Sequence, residues 1–263
     1  MTNGVRQGSI LSPLLFNVYV NELSLNLSES DIGCRVKSTI LNHLMYADDL
    51  ILLCPSVKGI NSLIKICLEY GDNNFITFNP KKSEGLFIRS NENTYTIPAI
   101  KVGGKKVPYK PKVKYLGHII CNNFRDDEDI KRQQRLFYAR ANTLVRNFGK
   151  CSGPVKLQLF KSFCYNIYCM GLWNEHYQYS LNSLRVGYNN AFRMLLRLPR
   201  DCSAGRMFAY TSSKDFGAML RNNCFSLMNR LQSSENLFII TILNSDIFFT
   251  SNILKNFRSI LYL

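Results

Sequence analysis

Two short stretches of this 263-residue chain carry residue types that can do chemistry together. The first is Tyr46-Ala47-Asp48-Asp49, flanked by the apolar runs His43-Leu44-Met45 and Leu50-Ile51-Leu52-Leu53. Aspartate is a poor strand residue, and adjacent carboxylates repel in an apolar setting. A divalent cation resolves that conflict. Mg²⁺ takes carboxylate and phosphate oxygens, and a metal pair clamps the attacking and leaving oxygens of phosphoryl transfer. A solvated Asp-Asp hairpin turn accounts for the same residues, so the tetrapeptide alone leaves both readings open. The second stretch runs Gly4-Val5-Arg6-Gln7-Gly8-Ser9-Ile10-Leu11-Ser12-Pro13. Gly4 and Gly8 permit close backbone approach to a ligand. Gln7 offers donor and acceptor to a base or sugar. A helix opening at Ser12-Pro13 presents free amides to phosphate. The plain alternative is a polar loop feeding a helix.

The elements that must position these residues follow from periodicity. Ser12 suits an N-cap and Pro13 the first helical position. Leu14, Leu15, Val18, Tyr19 and Leu23 then recur at helical spacing. Residues 42–54 read as a β-hairpin bent at Ala47-Asp48-Asp49. Pro55-Ser56 opens a helix with Ile60, Leu63, Ile64, Cys67 and Leu68 along one stripe. Short strands are expected near 75–78, 85–89, 95–102 and 113–120, with Gly103-Gly104 as a turn. The character changes near Asn122. Asp126-Asp127-Glu128-Asp129 makes an acidic helix start, favourable at the positive end of the macrodipole. Ile130, Phe137, Ala141, Leu144, Val145 and Phe148 follow, and Gly149 stops the helix. Further helices are expected over about 154–172, 180–198 and 214–232. The tail, 236–263, is apolar but rich in Asn and Ser, and its pattern assigns no element. The fold class is α+β up to about 122 and mainly helical after it.

Charge divides the chain in a similar way. The net charge is +15, with 33 Lys plus Arg against 18 Asp plus Glu. Residues 1–100 hold 8 basic and 9 acidic residues, residues 101–150 hold 13 and 4, and residues 151–230 hold 10 and 3. Either a solvated basic surface or a polyanion partner explains that excess. The composition excludes a disordered or collagen-like chain. Apolar runs such as Leu50–Cys54 fall far short of the ~20 residues that span a bilayer. Nine cysteines, an odd number without an apolar leader, fit reduced intracellular thiols rather than a disulfide scaffold.

GxxQGxxxSP followed about 40 residues later by YADD on a hairpin resembles the palm of reverse transcriptases, RNA-directed DNA polymerases. Asn79-Pro80-Lys81-Lys82-Ser83-Glu84 resembles the family's Asn/Lys element after the palm helix. Val113-Lys114-Tyr115-Leu116-Gly117-His118 resembles its primer-grip strand. The wording is most similar to enzymes of non-LTR (LINE-type) retrotransposons. The resemblance implies a partial palm over 1–122, an antiparallel sheet with packed helices. It implies a basic helical thumb and post-thumb region over 123–232, leaving 233–263 unassigned. It implies Asp48 as principal metal ligand with Asp49 as partner, and Mg²⁺ as cofactor with Mn²⁺ able to replace it. Tyr46 would lie beside the primer end, and Gln7 and Gly8 would line the nucleotide and template pocket. Lys82, with Lys81 behind it, would face the triphosphate of a dNTP. Tyr115, Leu116 and Gly117 would support the primer strand. Lys131, Arg132, Arg135, Arg140 and Arg146 would cradle the backbone of an RNA template and DNA primer, with Arg193, Arg197, Arg200 and Arg206 as a second cluster.

One departure bears on activity. The family places another metal-binding Asp in a palm strand upstream of the Gln-Gly element, and only three residues precede Gly4 here. With that Asp and the fingers outside this sequence, the expectation is an inactive chain. The rival readings are a non-enzymatic nucleic-acid-binding remnant and an inert fragment that folds poorly. Cys164, Cys169 and His176 raise a zinc site, but their spacing is loose and the surrounding aromatics favour buried thiols. His43 and His118 read as structural, and Trp173, the single Trp, as core.

Overall fold

The structure is a computed structural model that describes residue 8 and residues 10–88 and 96–261. Gly4, Gln7 and the rest of the loop before Gly8 lie outside the described residues. The chain divides into two compact units, Met1–Lys110 with Asn236–Ser245, and Pro111–Glu235 with Asp246–Leu263. The division falls at Lys110/Pro111, ahead of the change of character read near Asn122. The second unit therefore takes the Tyr-Leu-Gly strand together with the helices.

In the first unit α1 (Ser12–Glu29) is followed by the hairpins β1–β2 (Cys34–Val36, Thr39–Leu41) and β3–β4 (His43–Tyr46, Asp49–Leu52). Then come α2 (Val57–Asn73), β5 (Gly85–Leu86), β6 (Ile100–Val102), β7 (Lys105–Val107) and β8 (Tyr109–Lys110). Ser56 caps α2, its hydroxyl accepting from Gly59 N at 3.0 Å. Leu23 and Leu27 of α1 meet Leu63, Cys67 and Tyr70 of α2, with Met45, Leu50 and Leu52 of the hairpin packed against them. The hairpin is thereby seated on the helices through its apolar side chains.

Two sequence expectations fail in α1. Ser12 is the first helical residue rather than the cap, and Leu11 occupies the cap position without a side-chain bond. The residues at helical spacing mostly face outward: Leu14 is 62 % and Val18 69 % exposed, while Val20, Leu23 and Leu27 are buried. Almost every turn of α1 is apolar on both sides, so periodicity alone could not choose the face. The strands also differ from a single antiparallel sheet. They pair two by two, β5 with β8 in parallel and the others as antiparallel hairpins. Strands of two to four residues end in tight turns before a third can align. No strand forms over 75–78.

The second unit opens with β9 (Lys112–Tyr115) and β10 (His118–Cys121), then α3 (Asp127–Phe148), α4 (Gly153–Cys164), a 3-10 turn at Met170–Leu172 and α5 (Gln178–Leu196). It continues with α6 (Ala204–Tyr210) and α7 (Phe216–Gln232). The tail forms three short helices: α8 (Leu237–Leu243), which belongs to the first unit, and α9 (Asp246–Thr250) and α10 (Asn252–Leu261) in the second. The core is aromatic. Phe160 meets Phe192 edge-to-face at 5.0 Å, and Tyr188 stacks on Phe208 at 5.6 Å. The buried Tyr188 hydroxyl donates to Lys214 O at 2.8 Å, as a buried polar tip requires.

The helix expected over 154–172 stops at Cys164. Cys164, Ile167, Met170 and Trp173 are all buried, a three-residue period that imitates a helix. The backbone leaves that path and takes Cys169 into the left-handed region at φ 64°. Helix α5 ends with Arg197 at φ 58°, whose follower Leu198 donates from its amide to Arg193 O at 2.9 Å, a left-handed cap with Arg where Gly is usual. Among the described residues no helix is long and apolar enough to cross a membrane, and all nine cysteines are free thiols.

Phe160→Ala is expected to lower unfolding free energy by about 3–5 kcal/mol. Leu14→Ala should change it by less than about 0.5 kcal/mol, both read by urea titration. A large loss at Leu14 would show that α1 buries its other face.

Candidate functional site

The β3–β4 register sets Tyr46 opposite Asp49 and His43 opposite Leu52. Ala47 and Asp48 are left as a two-residue turn, with Ala47 at φ 51°, a conformation costing a non-glycine residue about 1 kcal/mol. Tyr46 is 63 % exposed, and Asp48 and Asp49 are exposed beside it. Neither carboxylate has a hydrogen bond or ion pair among the described residues. The base of the hairpin is held firmly. His43 lies between Ser24 Oγ and Asn42 Oδ1, each at 2.7 Å, and Asn42 Nδ2 donates to Ile32 O at 2.8 Å. Burial lowers the His43 pKa, so the imidazole is a neutral bridge that ties the acidic turn to α1.

Gly8 has φ 81° and open space where a Cβ would stand. Lys81 and Lys82 are exposed on a turn organised by Asn79. Its side-chain oxygen accepts from Lys81 N at 3.0 Å and its carbonyl from Lys82 N at 3.1 Å. No ion pair joins either lysine to Asp48 or Asp49.

Tyr115, Leu116 and Gly117 form the tip of the β9–β10 hairpin in the second unit. Tyr115 pairs with His118, leaving Leu116 and Gly117 as a two-residue turn at φ 43° and 81°, the backbone of a primed hairpin turn. Tyr168 holds that turn: its hydroxyl donates to Leu116 O at 2.8 Å, and a Cβ on Gly117 would stand 3.1 Å from its ring.

Sequence reasoning missed the most heavily bonded group in the unit. Asp129 is wholly buried. It accepts from His118 Nδ1 at 3.0 Å, Ile119 N at 3.1 Å, Trp173 Nε1 at 3.0 Å, and Arg132 Nε and Nη2 at 2.9 and 2.6 Å. Burial raises the pKa of Asp129, but bonds from His118, Trp173 and Arg132 outweigh it and bring the group down to about 2. The bond to Asp129, with a lesser one to Cys169, takes His118 up to about 9 against the opposing effect of burial. Asp126 accepts the amides of Asn174 and Glu175 at 2.7 and 2.9 Å. Asp127 accepts from Tyr177 N at 3.0 Å, from Ser180 Oγ and from Arg125 Nε at 2.9 Å. The acidic run thus fastens the hairpin, Trp173 and the start of α5 to α3. The macrodipole reading supplied no signal of this burial.

These bonds thin the basic stripe. Arg132 is committed to Asp129, Lys131 lies 3.4 Å from Glu128, and Arg140 donates to Asn166 O at 2.8 Å. Arg135 and Arg146 remain exposed without an ion pair among the described residues. In the second cluster Arg193 donates to Cys202 O at 3.0 Å, while Arg197, Arg200 and Arg206 are exposed. Burial pushes Cys164 up to about 11, and among the described residues no group of three or more His, Cys, Asp or Glu could hold a metal ion.

Residues 1–120, which include the β3–β4 turn, match the family model for reverse transcriptase (RNA-dependent DNA polymerase). That part of the chain is similar to reverse transcriptases. The relatives it matches are polyproteins of non-LTR retrotransposable elements. The chain is 29 % identical over 170 residues to the retrovirus-related Pol polyprotein from type-2 retrotransposable element R2DM of Drosophila melanogaster, covering 56 % of this chain and 16 % of that protein. It is 34 % identical over 113 residues to the Pol polyprotein from type-1 retrotransposable element R2 of Popillia japonica, covering 40 % and 16 %. With the polyprotein from element R1 2 of Nasonia vitripennis the identity is 22 % over 253 residues, covering 88 % and 59 %. The match spans less than two thirds of each of these relatives.

The His118–Asp129 pair sets a pH window. His118 lies above its ordinary 6.5, so its contribution is complete below 6.5 and lost as pH rises through about 9. Asp129 lies below its ordinary 3.8, so its contribution is complete above 3.8 and lost as pH falls through about 2. Stability measured by urea titration is expected to decline between pH 6.5 and 9. His118→Gln should remove that decline, and an unchanged slope in the variant would place the titrating group elsewhere.

Proposed function

We propose that the chain is part of an RNA-directed DNA polymerase of a non-LTR retrotransposon, which adds deoxynucleotides to a primer 3′-hydroxyl on an RNA template. In this reading residues 1–122 are palm and residues 123–232 thumb and post-thumb. The reading is carried by the β3–β4 turn, which lies in the family-matched stretch and presents two unpaired, adjacent carboxylates beside an exposed tyrosine. Hard oxygens without competing partners are the donors Mg²⁺ takes, and Mg²⁺ commonly fills its remaining positions with water and substrate phosphates. Asp48 and Asp49 therefore fit as part of a metal site, although the described residues supply no third ligand for a protein cage. Mg²⁺ or Mn²⁺, when bound, supplies charge stabilisation at the attacking and leaving oxygens.

The remaining roles follow in the same reading. Asp48 is the principal ligand and Asp49 its partner. Tyr46 offers its ring beside the primer end, and Gln7 and Gly8 line the nucleotide and template pocket. Lys82 brings a cation to the triphosphate. The tip Tyr115-Leu116-Gly117, held by Tyr168, supports the primer strand. Arg135 and Arg146 contact phosphates directly, while Arg132 acts through its bond to Asp129. Positioning supplies much of phosphoryl-transfer catalysis, and two carboxylates alone leave it incomplete, so the isolated chain is proposed to be inactive. A second reading, nucleic-acid binding without catalysis, draws on the same shortage of ligands and on the exposed arginines.

Two measurements test this. Magnesium-dependent primer extension by the isolated chain is expected to be absent; in a chain extended upstream through the rest of a palm it should appear and be abolished by Asp48→Ala. Extension that survives Asp48→Ala would end the catalytic assignment, and no extension in the longer chain would leave the binding reading. Affinity for a primer–template duplex should fall as salt rises. Combining Arg135→Glu with Arg146→Glu should lower the slope of log affinity against log salt by about 2.

A further inference from the structure

Tyr177 and Tyr179 stack on each other at the surface of the helical unit. Their ring centroids are 5.4 Å apart and their planes lie within 17°. The two residues are 51 % and 60 % exposed. The guanidinium carbon of Arg125 stands 3.4 Å from the centroid of the Tyr177 ring. Three flat groups, two aromatic and one cationic, thus share one exposed place although Arg125 is remote from the tyrosines in sequence.

The backbone beneath the stack is fixed. Asp127 takes the Tyr177 amide and the Ser180 hydroxyl on one oxygen and Arg125 Nε on the other. Asp126 takes the amides of Asn174 and Glu175, and its own amide donates to Glu175 O at 2.7 Å. Both carboxylates are buried. A ligand meeting this stack finds its partners already ordered, which lowers the entropic cost of binding.

We propose that Tyr179, Tyr177 and Arg125 form a stacking platform for unpaired nucleobases of a single-stranded nucleic acid. The inference rests on the nucleic-acid reading above and adds a site to it, apart from the phosphate contacts of Arg135 and Arg146. Every base has a π-face, so the platform accepts any sequence. The guanidinium over Tyr177 continues the stack through cation–π attraction. Local charge does little here, because Asp127 is paired with Arg125 and Glu175 is exposed close by. Long-range attraction comes from the basic excess of residues 151–230, 10 basic against 3 acidic. Stacking is then the local source of affinity.

The full chain is titrated into a short single-stranded RNA carrying 2-aminopurine, with an RNA duplex of the same sequence alongside. Anisotropy gives affinity and 2-aminopurine quenching reports stacking. Tyr179→Leu is expected to weaken single-strand binding by roughly tenfold, remove the quenching, and leave duplex binding unchanged. Tyr179→Phe keeps the ring and should keep both signals. If Tyr179→Leu and Tyr177→Leu leave quenching and single-strand affinity intact while duplex binding stays salt-sensitive, the platform is wrong and the nucleic-acid reading stands. If neither RNA binds, both fall together. If Tyr179→Leu alters only the oligomeric state by size exclusion, the stack is a contact between copies and the proposal fails.

Discussion

A carboxylate taken out of water must be met by donors on every side, and that requirement organises the helical unit. Asp129 is met by an imidazole, a backbone amide, a guanidinium and an indole N–H. The donors come from three stretches, strand β10, Trp173 and α3 itself, so satisfying one buried charge fixes the β9–β10 hairpin, Trp173 and α3 together. Asp126 and Asp127 do the same for the start of α5. Removing one partner of such a set leaves its charge uncompensated, which costs far more than an exposed ion pair contributes.

Asp48 and Asp49 show the opposite arrangement. They too are neighbouring acids at the edge of a regular element, yet they stand in water with no donor among the described residues. Their hairpin is held from below, by His43 between Ser24 and Asn42 and by Met45, Leu50 and Leu52 on the helices. The base of the hairpin is held, while the two unpaired carboxylates stand in solvent. This combination, together with the match of residues 1–120 to the reverse transcriptase model, gives the turn its proposed role.

The basic surface is smaller than its composition suggests. Of the five cations on α3 read as a backbone cradle, Arg132 is held in the Asp129 network, Lys131 faces Glu128 and Arg140 braces Asn166. Arg135 and Arg146 are exposed without an ion pair among the described residues. The aromatic stack at Tyr177 and Tyr179 offers a different attraction, one that salt screens little and that a base-paired strand cannot use. In the proposed reading, paired and unpaired nucleic acid are held by different forces.

The sequence by itself carried the resemblance to reverse transcriptases, the α+β beginning and the helical continuation. It also placed the acidic turn: YADD between apolar runs forces a hairpin with its acids at the bend. Helix α2 was legible because Ser56 caps it and its stripe is clean, and Gly149 marked the end of α3. Tertiary structure decided what periodicity could not. It chose which side of α1 is buried, since both sides are apolar, and it broke the helix at Cys164, where a three-residue burial period continues without one. It also sent one acidic run into the core and left the other in water. Position along a helix fixes where a carboxylate starts, but only the donors brought to it by distant segments decide whether it can be buried.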